Sequence, residues 1–339
     1  MGAVVLTAGC NSSAKDGVEP DRIPESAATS GSAASGTDET NYPLTLKTPY
    51  GTSVLKSQPR RVAIAGQVGD SENVISLGVI PVIAPKFQLQ WPWIDADVRS
   101  KIKNQFESGA DSEVPMEELA AADPDVIIAT SDTKLADHYQ KLSKIAPVVA
   151  FPDKAASTQF DWQQSIKLLG KALNRNAEAE EQITRTKDLI AKAESDHPEF
   201  DGTSISFTID YGEGNGMTFY NGSGSPGEEF LQQLGFAAAD NADKFAGERP
   251  QVSQEQLPLL DSDVVVVNYN TGAAEKEKVE ANRIFQNIPA VKDGRYLGLL
   301  PQGGTSPVAW SMARPTAINL QWSINYLVPK LAPVAKKAK

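Results

Sequence analysis

Residues 158–197 read TQFDWQQSIKLLGKALNRNAEAEEQITRTKDLIAKAESDH. Trp162, Ile166, Leu169 and Leu173 recur at helical spacing, and the pattern resumes at Ala179, Ile183 and Ile190 after Asn174-Arg175-Asn176. Both seams are carried on otherwise charged residues, which is the pattern of an amphipathic helix. A long helix over residues 158–198 with one break is predicted, longer than a βαβ crossover needs. On either side lies a block of alternating short apolar runs and amphipathic segments, each large enough to bury its own core. The helix is therefore expected to join two lobes, Thr158 to Leu173 packing on the first and Asn176 to Ser195 making the crossing. A cleft between lobes is the natural place for a ligand. One continuous helix resists wide hinge closure, so small lobe movements are expected.

The composition narrows the function. With 43 acidic against 32 basic residues the 339-residue chain carries a formal charge of −11 and no basic stripe, which argues against nucleic acid as a partner. A single cysteine rules out an intrachain disulfide, and two histidines, His138 and His197, leave little material for a protein metal site. Any metal is expected to arrive already chelated. No His-Glu-x-x-His, Cys-x-x-Cys or nucleophile motif is present, so the catalytic inventory is empty.

Residues 1–10 form an apolar run ending Ala8-Gly9-Cys10, similar to the lipobox of a bacterial lipoprotein signal. Thr7 stands where leucine is commonest, and the basic n-region is missing, so the signal is expected to start upstream of Met1. Residues 11–42 are small and polar, a composition that makes no core and suits a disordered tether. The first lobe, residues 43–157, opens with a hairpin over Pro43–Pro59 turning at Pro49-Tyr50-Gly51. Strands are predicted at 61–65, 79–84, 125–129 and 147–151, with helices at 70–77, closed by Gly78, and at 133–145. The paired tryptophans of Phe87-Gln88-Leu89-Gln90-Trp91-Pro92-Trp93-Ile94 follow a strand's carboxyl end, where they either meet a ligand or cap the core. The second lobe, residues 199–339, is predicted to hold strands at 203–209, 217–220, 263–268 and 295–300. Helices are expected into Leu234, at 253–259 and 284–291, and at 314–327. The glycine-rich turn Asn221–Gly227 precedes the first of these helices and could offer backbone N–H groups to an anion.

An element recurs in each lobe. Residues 115–128 (PMEELAAADPDVII) and 253–266 (SQEQLPLLDSDVVV) both give a short acidic helix, an aspartate and a buried strand. With residues 59–62 (PRRV), 142–149 (LSKIAPVV), 288–295 (IPAVKDGR) and the central helix, they resemble the iron-siderophore and cobalamin family of substrate-binding proteins of ABC importers. The resemblance covers Pro43 to Leu331. It implies two Rossmann-like α/β lobes joined by a single long α-helix, the class III, chelatase-like fold. A ferric siderophore would sit in the cleft, and Glu117 and Glu255 would dock on arginines of the permease. It further implies an extracytoplasmic protein, lipid-anchored to the cell membrane through Cys10, that hands its ligand to a permease with its ATPase. No resident cofactor and a monomeric state are expected.

Many ferric siderophores are anionic and expose amide and aromatic surface, so arginines and aromatics are the groups sought in the cleft. The candidates are Trp91, Trp93 and Arg99 from the first lobe, with Tyr211, Tyr220, Arg249, Tyr269, Trp310 and Arg314 from the second. Haem or cobalamin is the alternative ligand within the family. A chelatase-like enzyme is the alternative of a different class, for which His138 is the one histidine that could reach the cleft.

Overall fold

The computed structural model describes residues 39–66, 69–107, 113–132, 134–152, 161–245, 250–302 and 306–339. Cys10 and Arg249 lie outside these residues. The described chain falls within one compact unit, residues 38–339.

An antiparallel hairpin of β1 (Leu44–Thr48) and β2 (Gly51–Leu55) turns at Pro49-Tyr50, as the Pro-Tyr-Gly signal predicts. The first lobe follows as β3 (Val62–Ile64), α1 (Asp70–Ser76), β4 (Ile83–Pro85), α2 (Ala96–Lys101), β5 (Asn104–Phe106), α3 (Met116–Ala121), β6 (Val126–Ile128), α4 (Leu135–Leu142) and β7 (Val148–Val149). Its five strands are parallel in the order β5-β4-β3-β6-β7. Two helices, α5 (Trp162–Leu173) and α6 (Asn176–Asp196), lead to the second lobe. That lobe comprises β8 (Ile205–Asp210), β9 (Met217–Phe219), α7 (Pro226–Gln233), β10 (Gln251–Val252), β11 (Val264–Tyr269), α8 (Ala273–Glu280), α9 (Arg283–Gln286), α10 (Pro289–Lys292), β12 (Tyr296–Leu299), α11 (Pro307–Ala313) and α12 (Ala317–Ala335). Its sheet runs β10-β9-β8-β11-β12, parallel from β8 through β12 and antiparallel at β9 and β10.

The long helical stretch is a hairpin. Asn174 adopts a left-handed conformation, φ 54°, and ends α5. The chain then folds back, so Lys167 on α5 meets Glu180 on α6 at 3.1 Å, a contact that a straight helix would forbid. α5 packs against α1 of the first lobe, and α6 alone, 21 residues or about 31 Å, makes the crossing. α6 runs along α12, where Gln321 Nε2 donates to Gln182 Oε1 and to Thr186 Oγ1, both at 3.0 Å.

Strand alternation builds the layers. Val62, Ile64, Val126 and Ile128 point inward, while Ala63 and Ile127 point to an outer core under α3 and α4. In the second sheet Val264 and Val266 face inward, whereas Val265, Val267 and Tyr269 join a separate outer core. The two inward faces share one continuous core, filled by the seams of α5 and α6 and by Leu320, Ile324 and Leu327 of α12. The expectation of a separate core for each lobe therefore holds only for the outer faces.

The element recognised twice in the sequence does the same mechanical work in each lobe. The Asp125 carboxylate accepts from the N–H groups of Arg60 and Arg61 at 2.8 and 2.9 Å, tying the start of β6 to β3. Asp263 accepts from Ser204 N–H at 3.0 Å and so ties β11 to β8. The predictions depart from the structure elsewhere for local reasons. Val79 and Ile80 pack as the segment that seals α1 after Gly78, φ 74°, so β4 begins only at Ile83. The closing helix starts at Ala317, because Thr316 and Asn319 form a capping box. The residues before Pro315 make α11 instead.

Gly170 tests the hairpin. A Cβ there would lie 2.8 Å from Ala179 Cβ and 3.0 Å from the Arg175 carbonyl oxygen. In an isolated helix Gly→Ala stabilises by about 1 kcal/mol. Here Gly170→Ala should instead destabilise by about 1–3 kcal/mol, because two backbones must part. Urea unfolding reads the sign; a stabilised variant would mean the two helices do not approach this closely.

Candidate functional site

In an open α/β sheet, ligands bind beyond the carboxyl ends of the strands where strand order reverses. In the first lobe that point lies between β3 and β6, in the second between β8 and β11. Beyond β3, Gly66 accepts from Gln88 Nε2 at 2.8 Å through its carbonyl. A Cβ at Gly66 would lie 1.7 Å from Asp70 Oδ2, so glycine is required there. Asp70 is buried and accepts from the Thr130 hydroxyl and, at 3.3 Å, from Ser131 N–H, both just beyond β6. Glu72 is 1% exposed, beside the indole of Trp93.

Burial pushes Asp70 up to about 6 against the pull of the Thr130 and Ser131 hydrogen bonds. It pushes Glu72 up to about 7, where its own and the Gly69 backbone N–H, with the Trp93 indole, hold it back and the Asp70 charge adds to the rise. The Trp93 indole N–H faces the Glu72 carboxylate outside strict hydrogen-bond geometry, and neither Trp93 Nε1 nor Glu72 Oε2 has a well-formed partner among the described residues.

Aromatic rings from both lobes meet over this point. Trp91 stacks on Trp93 with centroids 5.4 Å apart, and Trp310 of α11 lies 5.4 Å from Trp91. Trp93 meets Trp322 of α12 edge-on at 5.5 Å, and Trp322 stacks on Tyr326 at 4.8 Å. Phe87 completes the array against Trp310 at 6.1 Å. Beside α11, the hydroxyls of Tyr211, at the carboxyl end of β8, and Tyr220 are hydrogen-bonded to each other. α11 packs on α7, where a Cβ at Gly227 would sit 3.2 Å from Met312 and 2.6 Å from the Tyr220 carbonyl oxygen.

The structure thus brings Trp91, Trp93 and Trp310 together and places Tyr211 and Tyr220 nearby. Arg314 caps α11 at the corner that leads to Thr316, whose methyl group packs toward Gly69 of the first lobe. Arg99 braces its own loop, its Nη2 donating to the Ile94 carbonyl at 3.2 Å. Tyr269 is corrected: it is fully buried in the outer core of the second lobe, its hydroxyl 2.8 Å from that of Tyr296, and burial raises its pKa. The glycine-rich segment is a turn, in which the Glu228 carboxylate accepts from Gly224 N–H at 2.6 Å and Ser225 caps α7, so those N–H groups are not open to an anion. Asp70, Glu72 and Trp322 escape sequence reasoning; Asp-Ser-Glu reads as ordinary first-turn acids, and Trp322 as part of an amphipathic helix.

Glu117 and Glu255 are both exposed, at the start of α3 and in the 3-10 helix Gln254–Leu260. Buried Leu119 and Leu257 pin these segments to the outer cores. His138 is buried between Asp132, 2.8 Å from its Nδ1, and Glu113, 3.4 Å from its Nε2. Among the described residues, no group of three or more His, Cys, Asp or Glu side chains is placed to hold a metal ion.

Residues 69–301 match the family described as periplasmic binding protein. The chain belongs to this family. The matched span begins just after β3 and takes in the helical hairpin and the second sheet's switch point of this periplasmic binding protein. It is 26% identical over 269 residues to the Fe(3+)-citrate-binding protein YfmC of Bacillus subtilis, covering 77% of this chain and 79% of that one. The structure of PiaA from Streptococcus pneumoniae in complex with ferrichrome superposes with a TM-score of 0.68 at 25% identity, covering 87% of this chain and 99% of that one. Staphylococcus aureus SirA complexed with staphyloferrin B gives a TM-score of 0.65 at 25% identity, over 85% and 98% of the two chains. These likenesses establish the class III binding-protein architecture.

The buried acids make stability fall with rising pH. The unfolded chain releases these protons near 3.8 and 4.5, whereas the folded chain keeps them to about 6 and about 7. Between those values the folded state binds more protons, so stability drops as pH rises through the window and levels off above about 7. At about 1.4 kcal/mol per unit, each group contributes a loss on the order of 3 kcal/mol. Glu72→Gln should be more stable than wild type at pH 8 and show a smaller difference between pH 5 and pH 8 in urea unfolding. An unchanged difference would place the titration elsewhere.

Proposed function

We propose that this periplasmic binding protein captures a ferric siderophore between its lobes and delivers it to an ABC permease. The observation that carries this reading is the aromatic array, supplied jointly by the loop after β4 of the first lobe and by α11 and α12 of the second. Broad, rigid rings suit a bulky chelate with amide and apolar surface, bound without any bond being made or broken. Relatives named for ferric citrate and solved with ferrichrome and staphyloferrin B support the same class of ligand. Haem held through a tyrosine is less favoured, because the Tyr211 and Tyr220 hydroxyls bond to each other. A chelatase reading loses its histidine, since His138 is held between two carboxylates in the first lobe.

Glu117 and Glu255 are the proposed permease contacts: two exposed carboxylates at corresponding positions of the two lobes fix orientation as well as attraction. Cys10 is the proposed lipid attachment site, with the small polar residues after it as tether. The protein would then act as a monomer at the outer face of the cell membrane, with no resident cofactor.

Tryptophan fluorescence tests the ligand class. Ferrichrome, ferrioxamine B or ferric dicitrate should quench the array, and Trp310→Ala should weaken binding at least about tenfold. Quenching by haem or cobalamin alone would sink the siderophore reading. For the docking sites, the double variant Glu117→Ala, Glu255→Ala should bind its chelate as wild type does while iron uptake by cells falls. Weakened binding in solution would show instead that these residues belong to the ligand site.

A further inference from the structure

Buried polar atoms without a well-formed hydrogen bond concentrate in the first turn of α1 and at the indole beside it. Among the described residues these are Ser71 Oγ, Glu72 Oε2, Asn73 Oδ1 and Trp93 Nε1, the indole facing the Glu72 carboxylate. Such groups are ordinarily satisfied in folded proteins, so a cluster of them at a binding cleft marks interactions kept for something else. Two of the buried side chains here, Asp70 and Glu72, are carboxylic acids. Among the described residues, no lysine or arginine is placed to draw either acid toward its charged form. Arg99, on the same side of the first lobe, turns its guanidinium to the Ile94 carbonyl. Asp70 commits its oxygens to Thr130 and Ser131, which leaves Glu72 as the acid with an uncommitted oxygen.

A carboxylate beside indole faces suits a cation, because ring quadrupole and carboxylate attract the same sign of charge. In low-dielectric surroundings that charge acts over several ångströms, without direct contact. Ferric chelates differ in this respect. Three hydroxamates neutralise Fe(3+), so a trihydroxamate chelate is neutral, or positive when it bears a free amine. Citrate-type chelates keep uncompensated carboxylates and are anionic. The relatives named or solved with ferric citrate, ferrichrome and staphyloferrin B span both kinds, so family membership does not choose between them.

Building on the siderophore reading, we propose that Glu72 is a specificity-determining residue that selects hydroxamate chelates bearing an ammonium group and disfavours anionic carboxylate chelates. The sequence-based expectation of an arginine-rich cleft for an anionic ligand is thereby reversed at the floor of the first lobe. Glu72 sits where both lobes contribute: Trp93 beside it contacts Trp322 of α12, and Thr316 at the start of α12 packs toward Gly69.

The test uses the full chain at pH 8, above the value of about 7 to which burial lifts Glu72. Affinities are measured by tryptophan quenching for ferrioxamine B, which has a free terminal amine, for its N-acetylated form, and for ferric dicitrate. Wild type should bind ferrioxamine B at least about tenfold more tightly than the acetylated form, with ferric dicitrate weakest. In Glu72→Gln the ratio between the first two should shrink to within about twofold. A wild-type ratio near one, a ratio that survives the substitution, or tightest binding of ferric dicitrate would each overturn the proposal while leaving a ferric-chelate binder. Should the variant fail to fold, the wild-type ratio alone decides. A folded wild-type chain that responds to none of the chelates would remove both the proposal and the function it rests on.

Discussion

The inward faces of the two sheets share one hydrophobic core, and α6 and α12 run through it. Ile183 and Ile190 of α6 and Leu320, Ile324 and Leu327 of α12 are all buried there. Each fully buried aliphatic side chain is worth about 1.5–3 kcal/mol. Exposing even a handful would cost about as much as the whole stability of an ordinary domain. The lobes therefore cannot swing widely apart, and movement is confined to small adjustments where they meet above the core. The hydrogen bonds from Gln321 to Gln182 and Thr186 reinforce that limit by fixing the register of α12 on α6.

Beyond the core, the chemistry at the strand ends follows from topology. Strand order reverses once in each sheet, and the loops beyond those strands cannot cover one another. In the first lobe the gap is filled by Asp70, Glu72 and the hydrogen-bonded loops around them; in the second by the paired Tyr211 and Tyr220. The α11–α12 corner then carries Trp310 and Trp322 across to Trp91 and Trp93. The rings come from the loop after β4, α11 and α12, whereas the buried acids come from α1, so shape and charge in this region are built from different elements.

The repetition between lobes has a mechanical basis. Asp125 and Asp263 each hold a central strand to its neighbour, and Leu119 and Leu257 each pin the preceding short helix to an outer core. Glu117 and Glu255 inherit fixed positions from those anchors. Placed on a body whose lobes move little, they hold a nearly constant separation, which suits recognition by a partner of fixed geometry.

Much of this is legible in the residues themselves. The apolar period of residues 158–197, the alternation of short strands with helices, and the duplicated acidic-helix, aspartate, strand element suffice for the α/β class, the two lobes and the helical crossing. The break at Asn174 is visible; that it closes a hairpin is not, because the direction taken after a left-handed residue depends on what α5 and α6 pack against. Trp91, Trp93 and Trp310 are recognisable as candidates because large aromatics after a strand are distinctive, but the structure leaves only Trp93 and Trp310 part-exposed and buries Trp91 at 4%. Tyr269 also proves to be core, since a one-residue difference in a strand decides which face a side chain takes. Asp70 and Glu72 read as routine acids of a helix start. Only the tertiary structure removes them from water, leaves them without a lysine or arginine partner among the described residues and sets the Trp93 ring beside Glu72, because burial and charge pairing are properties of the assembled chain rather than of any local stretch.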